Sequence, residues 1–280
     1  MTILYATDCN ENSVSTLQYA QQLSLQLNAQ LVLLYVYDIP PVAARTIKTE
    51  EQIQRSLKTE KLQHLTSYYT ENGVQKMDEL KIHPRAEFAI SIPDTILEYT
   101  AHLDCDLVIV GMKDEHTKRG LFSGNIANRL LKHINSKLLI VPNGFVFSTM
   151  TSLVYATDFE EADVQAIFQL GQLFKNMDVS IKIAHVDTGT NANGEEQMEW
   201  FSKILLEKMN GDYISFHVIK AERVPLGLRM FIGDENPNMV VLLEREEQSL
   251  FKKLFHKDLI KTMESEIKIP IMSINHKSIE

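Results

Sequence analysis

The sequence contains an internal repeat. The segment Ile3-Leu4-Tyr5-Ala6-Thr7-Asp8 returns as Leu153-Val154-Tyr155-Ala156-Thr157-Asp158, an offset of 158 minus 8, or 150 residues. The register is kept at the next apolar segment, where Tyr35-Val36-Tyr37 lies opposite His185-Val186-Asp187 without a gap. A chance match of six residues would not continue in the same register at the next segment, so we expect two copies of one folding unit.

Later segments of the two copies also correspond, but at a smaller offset. Ile92-Pro93 matches Val224-Pro225, and residues 106–110 match 239–243, an offset of 239 minus 106, or 133 residues. The second copy therefore lacks a loop that the first copy has between its second and fourth strands. A turn-rich Pro142-Asn143-Gly144 marks the junction. We predict one domain over residues 1–142 and a second over residues 151–275.

Short apolar runs alternate with longer amphipathic segments, which predicts strands alternating with helices and hence a parallel sheet. The runs are nearly continuous, as in strands that helices cover on both faces. In the first copy we expect strands near residues 2–7, 31–37, 86–90, 107–110 and 137–141. Four helices are expected. The first begins at Asn12-Ser13, which are plausible N-caps, and ends at Asn28, and the second is a long helix that is capped at Asn72-Gly73. The third runs from Asp94 to Ala101, and the fourth begins near Gly124.

The order of these segments resembles the universal stress protein family. The resemblance is carried by a first strand that ends in Ala6-Thr7-Asp8, by Tyr35-Val36 near the end of the second strand, and by Asp106-Leu107-Val108-Ile109-Val110-Gly111 in the fourth. Phe122-Ser123-Gly124-Asn125 and the last strand, which ends in Val141-Pro142, complete the pattern. It covers nearly all of residues 1–142 and, more weakly, residues 151–275.

The resemblance implies an α/β fold of two tandem, doubly wound, five-stranded parallel sheets of order 3-2-1-4-5, with helices on both faces. It also implies that the two copies pair as an internal pseudo-dimer about a pseudo-two-fold axis, and it leaves a homo-oligomer open. Nucleotide-binding members of the family hold ATP, so the implied partner is an adenine nucleotide, ATP with Mg²⁺. The positions that match the family's site are Ala6, Thr7, Asp8, Val36, Gly111, Met112, Lys113, Gly124 and Asn125.

The loop after the fourth strand matches the family's phosphate-binding motif in part. That motif reads Gly, two residues, Gly, nine residues, Gly, then Ser or Thr. Gly111 and Gly124 fill the outer glycine positions, whereas Asp114 stands at the middle one and Asn125 at the last. A glycine lets the backbone approach a phosphate closely, and the free N–H groups that open a helix form an anion site. Asp114 opposes the phosphates unless Mg²⁺ bridges them, and Lys113 offsets part of its charge.

At the same positions the second copy carries charged side chains instead of glycine. By the offset of 133, Glu244 replaces Gly111, while Lys257 and Asp258 replace Gly124 and Asn125. We therefore expect at most one nucleotide per chain, in the first copy.

Each candidate residue also has a simpler structural explanation. Asp8 suits the N-cap of the first helix or a turn. Gly111 and Gly124 suit the end of a strand and the start of a helix. Cys9 is either a redox-sensitive thiol at the mouth of the cleft or a small buried residue.

Composition and motifs disfavour several classes of protein. A formal net charge of -9 disfavours a nucleic-acid partner. Two cysteines and nine histidines without ligand spacing predict no metal site. The sequence shows no signal-peptide pattern and no apolar run of the roughly 20 residues that span a bilayer, so we expect a cytoplasmic protein without a membrane partner.

The leading hypothesis is a stress-response protein that binds ATP in its first domain in a regulatory or signalling role. We expect no catalytic residues and at most a slow hydrolysis of ATP. The alternative is a scaffold that binds no nucleotide and docks an unidentified protein partner. An adenylyl transferase is disfavoured because the chain has neither a His-x-Gly-His nor a Ser-Gly-Gly-x-Asp motif.

Overall fold

A computed structural model of the chain describes residues 1–37, 49–77, 81–112, 124–189, 193–209, 211–244, 269–276 and 279. The chain divides into two compact units, Met1–Phe147 and Ser148–Glu280. Within the described ranges, no helix combines the length and apolarity that a bilayer crossing requires.

The first unit alternates strands and helices, as predicted. Its strands are β1 (Thr2–Thr7), β2 (Gln30–Tyr37), β3 (Ile82–Phe88), β4 (Leu107–Gly111) and β5 (Lys137–Val141). Its helices are α1 (Val14–Gln26), α2 (Glu50–Asn72), α3 (Ile92–His102) and α4 (Gly124–His133), with a 3-10 turn over Glu11–Ser13 before α1.

The five strands of this unit form a parallel sheet of order β3-β2-β1-β4-β5. The chain runs from β1 outward to β3 and then returns past β1 to β4 and β5. Because parallel crossovers are right-handed, α1 and α2 cover one face of the sheet and α3 and α4 the other. The expected order and the doubly wound arrangement are confirmed.

The second unit repeats this topology. Its elements are β6 (Ser152–Ala156), α5 (Glu161–Leu173), β7 (Ser180–Asp187), α6 (Gly194–Lys208), β8 (Ile214–Lys220), α7 (Val224–Glu235), β9 (Met239–Glu244) and β10 (Ile271–Asn275). The parallel order β8-β7-β6-β9-β10 corresponds to 3-2-1-4-5 within the unit. The first two strands keep the offset of 150, since Ile3 pairs with Leu31 and Leu153 with Ile181.

The strand ladders correct the sequence alignment of the fourth strands by one residue. Ile3 of β1 pairs with Leu107, and its repeat equivalent Leu153 pairs with Met239. The offset between these fourth strands is therefore 239 minus 107, or 132, and not the 133 that residue similarity indicated. An apolar run of similar residues looks almost the same after a shift of one position, whereas a shift of one in the sheet exchanges the two faces.

This correction changes which residue replaces the first glycine of the phosphate motif. Leu243, not Glu244, occupies the position of Gly111. Glu244 stands one residue later, at the position of Met112, and is buried.

Strand β3 begins earlier than predicted, at Ile82 and not at Ala86. It is the outermost strand next to β2 in this unit, and its residues alternate between partly buried and exposed. Pro84 lies in its middle, opposite Leu33. Proline is tolerated in an outer strand because the N–H that it lacks is not needed for pairing on the open side. Because its exposed residues and Pro84 break the apolar run, the first half of this strand does not show the continuous apolar pattern of the other strands.

Helix α2 ends where predicted, but Gly73 does not adopt the left-handed conformation that is common in helix caps. Its φ is -71° and its ψ is 149°. Two glutamines of α1 hold this end: Gln18 donates to Asn72 O, and Gln21 Oε1 accepts the N–H of Val74. A Cβ at Gly73 would lie 2.7 Å from the carbonyl oxygen of Tyr69 and 2.9 Å from Gln21 Nε2. Gly73 is therefore required by close packing.

We expect Gly73→Ala to lower the free energy of unfolding by about 1 to 3 kcal/mol, because the added methyl group meets backbone that cannot move freely. Gly233→Ala is the matched control. Gly233 lies in α7 with no atom within 4 Å of an added Cβ, so this change should stabilise the helix by about 0.5 to 1 kcal/mol. Urea unfolding of both variants measures the two effects, and a neutral Gly73→Ala would contradict the packing argument.

Candidate functional site

The turn after β1 is held by the side chain of Thr7. Its hydroxyl oxygen accepts a hydrogen bond from the N–H of Cys9 at 3.0 Å. Cys9 has a φ of 56°, in the left-handed region that non-glycine residues rarely adopt. Thr7 is buried, and its side chain fixes this turn.

Asp8 lies between these two residues and is partly exposed. Its carboxylate accepts a hydrogen bond of 2.6 Å from Asn10 Nδ2 and a longer one of 3.4 Å from the N–H of Asn10. Partial burial raises the pKa of Asp8 above its ordinary value. Of the two simpler explanations for Asp8, the turn carboxylate is correct and the N-cap is wrong.

Asn10 supplies the cap that the sequence assigned to Asn12 and Ser13. Its side-chain oxygen accepts the N–H of Ser13 at 2.9 Å. Ser13 forms no side-chain cap bond, and its hydroxyl instead lies 2.8 Å from the hydroxyl of Tyr68 on α2. Ser13 O also accepts a hydrogen bond from Tyr5. Ser13 thus links β1, the start of α1 and helix α2.

The second unit builds the same turn from the repeated residues. Thr157 accepts the N–H of Phe159 at 2.9 Å, and Phe159 has a φ of 64°. The position of Ser13 is taken by Asp163, whose carboxylate accepts from Tyr155 at 2.8 Å and from Thr157 at 2.7 Å. The N–H groups of residues 158 and 160 also donate to Asp163.

Burial is the largest influence on Asp163 and raises its pKa to about 6, although its hydrogen bonds act in the opposite direction. The folded state therefore holds this proton more tightly than the unfolded state does. The stability that Asp163 contributes is fully present below pH 4 and is lost as the pH rises through about 6.

We predict that replacing Asp163 by asparagine removes this pH dependence. The free energy of unfolding of the wild type, relative to Asp163→Asn, should fall by about 2 kcal/mol between pH 4.5 and 7. Urea unfolding at several pH values measures the difference. The control is Asp178→Asn, at an exposed aspartate of the same unit. Parallel curves for the wild type and Asp163→Asn would contradict the prediction.

The predicted site residues of β1, β2 and β4 meet at one edge of the sheet. Thr7 pairs with Tyr35 and Ala6 with Val110, so Asp8, Val36 and Gly111 each lie one position beyond these pairs. Strands β1 and β4 are neighbours, and the connections that follow them run in opposite directions, to β2 and to β5. This arrangement opens a crevice at the carboxyl ends of the two strands. Ala6 and Val36 are buried, so any contact from them to a ligand involves backbone atoms.

Gly111 lies in β4, and helix α1 packs on the place where its side chain would be. A Cβ at Gly111 would lie 3.0 Å from Thr16 Oγ1. Thr16 is fully buried, and its hydroxyl has no hydrogen-bond partner in the part of the chain that the structure describes. Packing therefore gives one physical reason for the glycine, independent of any phosphate.

We predict that Gly111→Ala costs about 1 to 3 kcal/mol of stability, because the new methyl group crowds Thr16. Thr16→Ala removes the crowding atom, so the double variant should recover part of that loss. A double-mutant cycle by urea unfolding measures the coupling. Strictly additive effects would show that Thr16 is not what excludes a side chain at Gly111.

The remaining predicted residues follow β4. Met112 follows the strand directly, and its N–H donates to Val141 O at 2.8 Å. Lys113 and Asp114 lie outside the described residues, as do Lys257 and Asp258 of the second unit. Gly124 and Asn125 form the first turn of α4, which begins at the same end of the sheet because it follows β4 in a parallel fold.

The sequence of residues 1–142 matches the family model described as the universal stress protein family. The chain belongs to this family. Its fold is similar to that of a universal stress protein from Archaeoglobus fulgidus DSM 4304, with a TM-score of 0.66 at 15% identity, over 98% of this chain and 96% of that one. It is also similar to a functionally unknown protein from Pseudomonas aeruginosa PAO1, with a TM-score of 0.60 at 12% identity, over 99% and 93% of the two chains. No curated relative matches the chain in sequence.

In this universal stress protein, Cys9 does not have the properties of a redox sensor. It is buried in the left-handed turn position. Burial, with a smaller contribution from the Asp8 carboxylate, raises its pKa to about 12. Because the thiolate is the reactive form, a thiol with so high a pKa reacts slowly. Burial and the raised pKa favour the explanation of Cys9 as a small buried residue over that of a redox-sensitive thiol.

The sequence pattern indicated Ser13 only as an N-cap and gave no role to Asp163, although the turns of the two domains depend on both residues. The offset of 150 contained the signal, because Tyr5 and Thr7 recur as Tyr155 and Thr157. The same offset aligns Ser13 with Asp163. In the part of the chain that the structure describes, no group of three or more metal-ligating side chains is present.

Proposed function

We propose that the first domain binds one adenine nucleotide, ATP with Mg²⁺, at the carboxyl edge of β1 and β4 in a regulatory or signalling role. The observation that carries the proposal is the convergence of Asp8, Val36 and Gly111 at the switch point of the sheet. In open parallel sheets this crevice is the usual ligand site. The family to which the chain belongs is consistent with this position.

Asp8 is the polar side chain that this edge offers to a nucleotide. Its carboxylate is held in place by Asn10 and keeps free acceptor capacity, since a carboxylate has about four lone-pair directions. Partial burial strengthens a hydrogen bond to a ribose hydroxyl or an adenine amino group, because less water competes for it. Such a bond favours the ionised form and offsets the raised pKa of Asp8.

The second domain lacks the features that favour a phosphate at this edge. Leu243 fills the position of Gly111, and the carboxylate of Glu244 lies at the position of Met112. A buried carboxylate beside this edge repels phosphate oxygens. We therefore propose a single nucleotide site per chain, in the first domain.

Calorimetric titration with Mg²⁺–ATP tests this proposal. We expect one site per chain in the wild type and about 10- to 100-fold weaker binding by Asp8→Ala, which corresponds to the loss of one charge-assisted hydrogen bond of about 1.5 to 3 kcal/mol. Asp158→Ala is the matched control, because Asp158 is the repeat equivalent of Asp8. It should leave the affinity unchanged. Thermal melting of each variant confirms that it is folded.

Two results would overturn the proposed site. Binding of two nucleotides per chain, or equal losses in Asp8→Ala and Asp158→Ala, would place the nucleotide elsewhere. A second substitution addresses the loop: Asp114→Gly restores the family's glycine and should tighten binding by removing a negative charge beside the phosphates. If neither the wild type nor Asp114→Gly binds ATP, the scaffold function replaces this one.

A further inference from the structure

The second domain contains a cavity of about 550 Å³ on the face covered by α5 and α6. It lies between the first turns of α5 and the side of α6, and His276 and Ile279, which follow β10, border it on a third side. Pockets that hold small organic ligands have volumes of about 300 to 1,000 Å³. This cavity is distinct from the edge of the first domain that is proposed to bind a nucleotide.

Three of the side chains that line the cavity are aromatic: Phe159, Trp200 and Phe201. Phe159 is held in its left-handed turn by Thr157, lies against His185 with ring centroids 4.2 Å apart and the rings tilted by 35°, and meets Phe201 edge-on at 5.7 Å. Trp200, beside Phe201 on α6, also lines the cavity and is 60% exposed. An exposed tryptophan beside a rigid phenylalanine offers flat apolar surface that a planar ligand can cover.

In the first domain, the residue that follows the turn contacts the second helix. There, Tyr68 of α2 reaches the hydroxyl of Ser13 at 2.8 Å. In the second domain, Asp163 replaces Ser13 and bonds to Tyr155, Thr157 and the backbone of its own turn. Trp200, Phe201 and Ile204 of α6 line the cavity.

The charged side chains that line the cavity determine which ligand charge it favours. Glu160 and Glu161 stand at the start of α5, and Lys208 lies at the far end of α6. The α5 terminus is already capped, since Glu160 and Asp163 accept hydrogen bonds from each other's backbone N–H groups. The two glutamates outnumber the one lysine among the lining residues, so the lining disfavours an anion, and aromatic faces attract cations.

We propose that this cavity binds a planar aromatic cation, which stacks on Trp200 and places its charge toward Glu161. Both surfaces are needed for this selectivity. The aromatic wall recognises the ring, and the carboxylates distinguish a cation from a neutral or anionic compound of the same shape. Because the contacts are partly exposed, the affinity depends on stacking and on charge to a similar degree.

The chain has one tryptophan, so a spectrum of protein labelled with ¹⁵N at tryptophan contains a single indole N–H signal, from Trp200. N-methylquinolinium is the cationic probe, and quinoline-2-carboxylate is an anion of similar ring size. We expect a saturable shift of the Trp200 signal with the cation and weaker binding of the anion. The absence of a saturable shift with the cation, or equal or tighter binding of the anion, would overturn the proposal.

Variants separate the two parts of the site. By calorimetry, Glu161→Gln should weaken binding of N-methylquinolinium about two- to fivefold, whereas Glu196→Gln, an exposed residue of α6 that does not line the cavity, should not change it. Trp200→Ala should abolish binding and Trp200→Phe should restore most of it. Equal effects of the two glutamate substitutions, or unchanged binding by Trp200→Ala, would each contradict the proposed contacts.

Discussion

The hydrogen bond that a threonine hydroxyl accepts from the backbone N–H two residues later fixes the turn after the first strand of each domain. Thr7 and Thr157 accept the N–H of Cys9 and Phe159, which both adopt left-handed conformations. A left-handed non-glycine residue carries a conformational cost, so its recurrence at equivalent positions indicates that the turn is needed. It directs the chain from the central strand into the first helix and sets the position of the residue between, Asp8 or Asp158.

What differs between the domains is the residue that completes this turn. Ser13 has a neutral hydroxyl that connects to Tyr68 on the neighbouring helix, whereas the carboxylate of Asp163 is used within its own turn. One substitution in a shared framework thereby changes how closely the next helix is tied to the turn. The first domain has Gly111 at the end of its fourth strand, whereas the second has Leu243 there, and the second domain has a cavity lined in part by aromatic side chains.

The architecture was largely predictable because it depends on patterns that repeat. Continuous apolar strands, amphipathic helices and a kept offset of 150 residues indicated two doubly wound domains of order 3-2-1-4-5. The start of the edge strand β3 was misplaced because three of its seven residues are exposed and it contains Pro84, so its sequence is not a continuous apolar run. The fourth strands were misaligned by one residue because similarity among Val, Leu and Ile does not fix a register, whereas hydrogen-bond pairing does.

The sequence by itself determined the family, the topology and the residues that reach the carboxyl edge of the first sheet, since these follow from the order of strands and the lengths between them. The tertiary structure decided what those residues do. Packing of Thr16 on Gly111, use of the Thr7 hydroxyl within a turn and burial of Cys9 all depend on contacts between segments distant in sequence or on backbone dihedrals. The packing of Thr16 on Gly111 is not encoded by a local pattern, because it depends on which side chain helix α1 places against strand β4.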